Sequence, residues 1–206
     1  MSFIFSLFYD SIMDISEKAC LGNWRQELIQ DLEGDILEIG AGTGANIAYF
    51  SNSITSMVLS EPDKGMRKLL TNKADKSVHN NIRISACSAE NIDAEDESFD
   101  HVISALVCCS VSNISQTFSE IKRVLKPGGS LVFIEHVAAE EGTRRHRWQH
   151  RLNPFWKRLA GNCHLIRETE SEITNAGFEI THIKRESMRK ALPFVRPTIR
   201  GLAVKP

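Results

Sequence analysis

In the run Ile36-Leu37-Glu38-Ile39-Gly40-Ala41-Gly42-Thr43-Gly44-Ala45-Asn46, a carboxylate precedes three alternating glycines. Gly40 and Gly42 let backbone approach a ligand closely where a strand turns into a helix, and a helix N-terminus there offers free N–H groups to an anion. Glu61 follows Gly40 by 21 residues, at the expected end of a second strand. A carboxylate in that place can accept hydrogen bonds from both hydroxyls of a ribose. Gly40-x-Gly42-x-x-Ala45 also meets the loose dinucleotide fingerprint, so a nicotinamide dinucleotide is one reading. A strand–helix turn with no ligand is another. The acid tips the balance: Glu38 suits a ligand carrying an ammonium and a sulfonium group and opposes a pyrophosphate. With Gly44 the pattern becomes GxGxG, and the reading favours S-adenosylmethionine. Ser88-Ala89-Glu90, just after the third expected strand, then edges the adenine.

Methyl transfer from a sulfonium is an in-line displacement, so a protein mainly has to bring nucleophile and methyl carbon together and exclude water. A thiol with a pKa of about 8.5 is already partly ionised near neutrality, and no dedicated base is required for it. Where a base is used, His136 is the candidate, because ligands bind at the carboxyl ends of strands in open α/β sheets. The plainer reading is a strand-end histidine bonded to backbone. Glu135 beside it can orient a loop. Cys108 and Cys109 follow the fourth expected strand, either as buried packing or as part of an acceptor pocket.

Cys163 and His164 are adjacent, and His146 and His150 share a helical face, but two histidines without a third ligand do not make a metal site. No metal is expected. The five cysteines contain no CxxC pair, and their odd number suits a reducing cytoplasm. One strong basic run, residues 144–151, continues to Lys157 and Arg158 and is interleaved with Trp148, Leu152, Phe155, Trp156 and Leu159. It reads as a solvated helix whose apolar side covers the acceptor pocket, or as a basic surface that meets anionic lipid.

The elements that must position these groups alternate. Apolar strands are expected at 35–39, 56–60, 82–86, 99–105 and 130–135, with helices around 66–70 and 114–125, so a parallel sheet is covered on both faces. Lys126-Pro127-Gly128-Gly129 ends a helix and turns the chain. Residues 143–160 read as two short helices broken at Asn153-Pro154, 169–176 as a helix closed by Gly177, and 178–184 and 198–204 as closing strands.

Glu38 to Gly44, Glu61-Pro62, Ser98-Phe99-Asp100 and Leu125 to Gly129 together resemble the class I S-adenosylmethionine-dependent methyltransferases, over roughly residues 35 to 136. The resemblance implies a Rossmann-like, seven-stranded α/β sheet with helices on both faces and the last strand antiparallel. Leu106 to Val111, Glu135 to Glu140, Arg167-Glu168-Thr169 and the closing Val195 to Lys205 resemble the branch containing the methyltransferase-like 7 (thiol methyltransferase) proteins, near the ubiquinone and menaquinone methyltransferases. By position, the resemblance implies that Glu38, Gly40, Ala41, Gly42 and Gly44 hold the methionine end and Glu61 the ribose. Pro62 and Met66 fall near the adenine, Ser88, Ala89 and Glu90 line its edge, and Leu106 and Val107 pass under the cofactor. Asn46 is a helix-start cap or a ligand contact. The implied acceptor is a small hydrophobic thiol, with a phospholipid amine or a quinone ring as the alternative.

A chain of 206 residues, 42% of them hydrophobic, reads as a single methyltransferase domain. It divides into an N-terminal helical cover (1–34), a cofactor-binding core (35–136) and acceptor-side helices with closing strands (137–206). Phe8, Tyr9 and Met13 of the cover and the segment 143–166 are expected to form the acceptor pocket. The formal charge of −1 argues against a nucleic-acid partner. The apolar start Phe3 to Tyr9 is too short to span a bilayer and lacks a preceding basic residue, so the expected location is cytoplasmic, with peripheral membrane contact at most. The oligomeric state is left open. An NAD-dependent oxidoreductase is the rival class, yet neither Tyr9 nor Tyr49 has a lysine four residues on. A non-catalytic module that binds the cofactor is the third reading.

Overall fold

The computed structural model describes residues 13–206. The expected apolar helix near residues 3–12, with Phe8 and Tyr9, lies outside them. Residues 13–16 are helical, the backbone takes a π-helical turn at Glu17–Leu21, and it continues as α1, Gly22–Ile29. Then follow β1 (Gly34–Ile39), a single 3-10 turn (Ala45–Tyr49), β2 (Ile54–Ser60), α2 (Lys64–Ala74), β3 (Ile82–Ser85), β4 (Phe99–Ala105), α3 (Ile114–Val124) and β5 (Leu125–His136). The chain ends with α4 (Arg144–Leu159), α5 (Thr169–Asn175), β6 (Glu179–Ser187) and β7 (Pro197–Val204).

The seven strands form one sheet in the order β3-β2-β1-β4-β5-β7-β6. The first five are parallel, and β7 runs antiparallel to both β5 and β6. This is the Rossmann-like class I methyltransferase arrangement that the motifs imply. Strand order reverses between β1 and β4, so the carboxyl ends there open a crevice, where ligands of open α/β sheets bind.

Side chains of a strand alternate between the two faces, and β1 shows what this sorts. Leu37 and Ile39 join Val102, Phe118, Ile121 and Phe133 on one side, packed by the amphipathic α3. Ile36 joins Met57, Ile103 and Ile134 on the other, under Leu21, Trp24 and Leu28 of the N-terminal cover. Each fully buried side chain of this kind contributes about 1.5–3 kcal/mol of transfer free energy. Glu38 shares the parity of Ile36, so β1 aims a carboxylate at the N-terminal cover.

Two expectations need correction. The chain does not break at Asn153-Pro154: α4 runs through it, with Pro154 inside. Pro154 is exposed at a point where water can solvate the carbonyl it leaves unpaired, which makes the defect tolerable. Nor does β5 start only after Lys126-Pro127-Gly128-Gly129. The four residues bulge within a longer strand, between the pairs Phe99–Leu125 and His101–Ser130. Lys126 Nζ reaches Asp35 and Asp100, and Gly128 N and Gly129 O pair with Lys205, so the bulge stays stitched to the sheet. Among the described residues, no helix is long and apolar enough to cross a membrane.

Candidate active site

The loop after β1 takes the conformation its glycines allow. Gly40, Gly42 and Gly44 have φ of 56°, 59° and 83°, in the left-handed region. Ala41 N donates to Ser60 O at 2.8 Å, which ties the loop to β2. A Cβ on Gly40 would come 2.7 Å from Val107 Cγ2, so this glycine is needed for the approach of the β4 loop. A Cβ on Gly42 would meet nothing within 4 Å, and the backbone there faces open space. The helix that the loop leads into is a short 3-10 helix. The amides of Ala41, Gly42 and Gly44 are spent on Ser60 O, Glu61 and Ala41 O, so the groups around the loop that keep hydrogen-bonding capacity are the carboxylates of Glu38 and Glu61.

Glu61, at the end of β2, accepts from Gly42 N on one oxygen (2.9 Å) and from Asp63 N on the other (2.8 Å). Burial pushes its carboxyl up, against those two amides. Each oxygen keeps a second lone pair for a further donor. Asp63 caps α2 by accepting from Gly65 N and Met66 N, which sets Met66 inward while Pro62 stays exposed.

Glu38 is buried, and only one of its oxygens is satisfied. Asn46 Nδ2 donates to Oε1 at 2.8 Å, while Oε2 has no hydrogen-bond partner. Desolvation raises its pKa to about 7, against the lowering influence of Arg25 and of the Asn46 bond. Asn46 Oδ1 accepts from Arg25 Nη1 at 2.7 Å, and Arg25 bonds Glu17. Asn46 is thus neither a cap nor an open ligand contact. It is the middle of a buried polar chain, Glu17–Arg25–Asn46–Glu38, that links the N-terminal cover to the strand-end acid. The residues before β1 carry no motif that announces this chain.

Ser88, Ala89 and Glu90 follow β3, with Ala89 buried and Ser88 bridged to Asn91. Glu90 Oε1 accepts from Ser112 N at 2.7 Å, so it braces the loop after β4. Leu106 is held at a φ of 62°, and its N–H donates to Ile134 O at 2.8 Å. Glu135 Oε1 accepts from Val107 N at 3.1 Å and Ser104 Oγ at 2.7 Å. Glu135 does orient the loop that carries Leu106 and Val107. Burial raises its carboxyl, and Cys108 beneath it is a packed thiol raised by desolvation.

At the end of β5, His136 Nε2 lies 2.9 Å from Cys163 Sγ, and its Nδ1 is buried without a hydrogen-bond partner. Trp156 Nε1 donates to the same sulfur at 3.2 Å. Cys163 is held well below the usual thiol range, chiefly by a bond from Cys109 and further by His136, while Cys109 is pushed up in return. His136 is therefore grouped with Cys109 and Cys163, a cluster that sequence adjacency of Cys163 with His164 does not predict. The fully buried Gln149 was also not foreseen: it donates to Val137 O and Phe194 O and accepts from Ala139 N, which docks α4 on the end of β5. Of the aromatic and aliphatic residues of α4, Leu152 and Trp156 turn inward, whereas Trp148, Phe155 and Leu159 face solvent. Only part of that apolar stripe covers the sheet end.

A profile of the family described as "Methyltransferase domain" matches residues 37–133. The chain is 37% identical over 185 residues to the thiol S-methyltransferase TMT1B of Rattus norvegicus, covering 86% of this chain and 75% of that protein. It is 32% identical over 203 residues to the thiol S-methyltransferase TMT1A of Homo sapiens, covering 98% of this chain and 83% of that one. Its fold is similar to that of a SAM-dependent methyltransferase from Methanosarcina mazei, with a TM-score of 0.67 at 20% identity, over 87% of this chain and 95% of the other.

Proposed function

We propose that this chain, which belongs to the class I S-adenosylmethionine-dependent methyltransferases, methylates the sulfur of a small hydrophobic thiol. S-adenosylmethionine, its cofactor, supplies a methyl group on a sulfonium when bound. The residues fit that group. The unpartnered Glu38 Oε2 offers a buried negative charge for the ammonium of the methionine end, Gly42 leaves open space in the same loop, and Gly40, Ala41 and Gly44 shape its turn. Glu61 takes the ribose hydroxyls on its free lone pairs. Pro62 and Met66 lie near the adenine, Ser88, Ala89 and Glu90 at its edge, and Leu106 and Val107 beneath the cofactor.

The observation that carries the thiol reading is the extent of the likeness to thiol S-methyltransferases. It spans 98% of the chain at 32% identity, so it includes the acceptor-side segment beyond the residue 37–133 match. The chemistry agrees. A thiol ionises partly near neutral pH, so the fold needs only to orient it and exclude water. No base is assigned: His136 Nε2 is engaged by Cys163 and the ring is buried.

The test is a methyl-transfer assay over alkyl and aryl thiols, phospholipid amines and quinols, with product masses read directly. A methyl thioether as the dominant product is expected. A methylated amine or quinol formed in its place would overturn the thiol assignment and leave the methyltransferase class intact.

A further inference from the structure

Three buried side chains on the acceptor side remain unused by the proposed reaction: Cys109, His136 and Cys163. They come from three separate segments, namely the loop after β4, the last residue of β5 and the loop after α4. Their ligand atoms all lie within 4.8 Å of one another, and all three residues are buried. We propose that they form a zinc(II) site that pins the acceptor-side cover to the sheet.

The donor set suits this ion. Two thiolates and an imidazole are soft to borderline ligands, which select zinc over magnesium or calcium. Zinc–sulfur bonds of about 2.3 Å and zinc–nitrogen bonds of about 2.0–2.1 Å, at tetrahedral angles, place donors roughly 3.5–3.8 Å apart. The cluster, with every pair of ligand atoms within 4.8 Å, is compact enough to reach that spacing. His136 Nε2 and Cys163 Sγ, now 2.9 Å apart, need to open by about 0.6 Å.

The surroundings resemble an outer ligand shell. Trp156 Nε1 donates to Cys163 Sγ at 3.2 Å, and His164 N donates to Cys109 O at 2.7 Å, so both sulfur-bearing segments are already oriented. His136 presents Nε2 to the cluster, and its buried Nδ1 has no partner, so the ring can shift to open the Nε2–Sγ distance without breaking another protein bond. On binding, the proton shared between His136 Nε2 and Cys163 Sγ and the proton of the Cys109 thiol leave to solvent, and two thiolates neutralise the dication. Three protein ligands leave one tetrahedral position for water or another small ligand. The site does not depend on which acceptor is methylated.

Metal content and cobalt uptake of the full chain test this. Protein purified in reductant and without chelator is expected to carry about one zinc per chain. After chelation, cobalt(II) is expected to bind with near-ultraviolet sulfur-to-cobalt charge transfer and tetrahedral bands in the visible. Cys109→Ser and Cys163→Ser should each lose the charge-transfer signal and bind ~100-fold more weakly, with Cys87→Ser unchanged. A wild-type chain that takes up neither ion, or a cobalt spectrum unaltered in both variants, would overturn the site. Should the serine variants fail to fold, alkylation of the wild-type chain decides. Zinc is expected to protect Cys109 and Cys163, and equal labelling with and without zinc refutes the proposal.

Discussion

Glu38 has one oxygen bonded to Asn46, the other unpartnered, and a pKa raised to about 7 chiefly by burial. Its value in the folded chain lies above the unfolded one. The protonated acid therefore contributes stability that is fully present below an unfolded pKa of about 4.5 and is lost as pH rises through about 7. Glu38→Gln removes this dependence. Chemical denaturation should find the variant up to about 2–3 kcal/mol more stable than wild type near pH 8, with the gap closing near pH 5. The same carboxylate must be charged to receive an ammonium. Calorimetric affinity for S-adenosylmethionine should therefore rise with pH through about 7 in wild type, and it should fall at least ~10-fold in the variant. The glycines separate fold from binding in a similar way. Gly42→Ala meets no neighbour and should cost only about 1 kcal/mol for its positive φ, yet weaken cofactor binding. Gly40→Ala collides with Val107 and should lose stability as well, by about 2 kcal/mol more in melts.

At the scale of elements, α1 and α4 act as the two covers, and each carries a test. Arg25 of α1 is buried between Glu17 and Asn46. Arg25→Met should cost about 3 kcal/mol, because Asn46 and Glu38 lose a charged partner. It should also move the pH midpoint of cofactor affinity upward, since Arg25 lowers the Glu38 pKa. An unmoved midpoint would show that the polar chain does not reach the site electrostatically. In α4, Pro154 forfeits one backbone hydrogen bond in mid-helix. Pro154→Ala should raise the melting temperature by about 2–4 °C, the equivalent of about 1 kcal/mol in a chain of this size. This helix also explains a limit of sequence reading. An Asn-Pro pair commonly starts a helix, whereas the docking of Gln149 in α4 on Val137 and Ala139, just after β5, is a tertiary contact that no local pattern displays.

For the whole molecule, binding that favours the folded state must raise its stability. S-adenosylmethionine at about 100 times its Kd should add about 2.7 kcal/mol and shift the melting transition upward by about 5–10 °C, whereas NAD should leave it unchanged. A shift with NAD alone would restore the oxidoreductase reading. Most of the fold was legible in the residues. Strand–helix alternation and the glycine loop depend on local periodicity and on backbone freedom, which a sequence displays directly. So did the placement of Glu38 and Glu61 at strand ends, because a strand's carboxyl end can be counted from its apolar run. What no local pattern displays is which distant side chains meet. Asn46 meets Arg25 across 21 residues and His136 meets Cys163 across 27, because sheet order and helix docking bring their segments together. The sequence by itself determined the class of cofactor and the strand–loop order that opens a crevice beside β1. Only tertiary packing decided that Glu38 is desolvated against an N-terminal arginine. It also decided that the histidine at the end of β5 faces two cysteines, since burial and long-range proximity arise only when the sheet and its covers close.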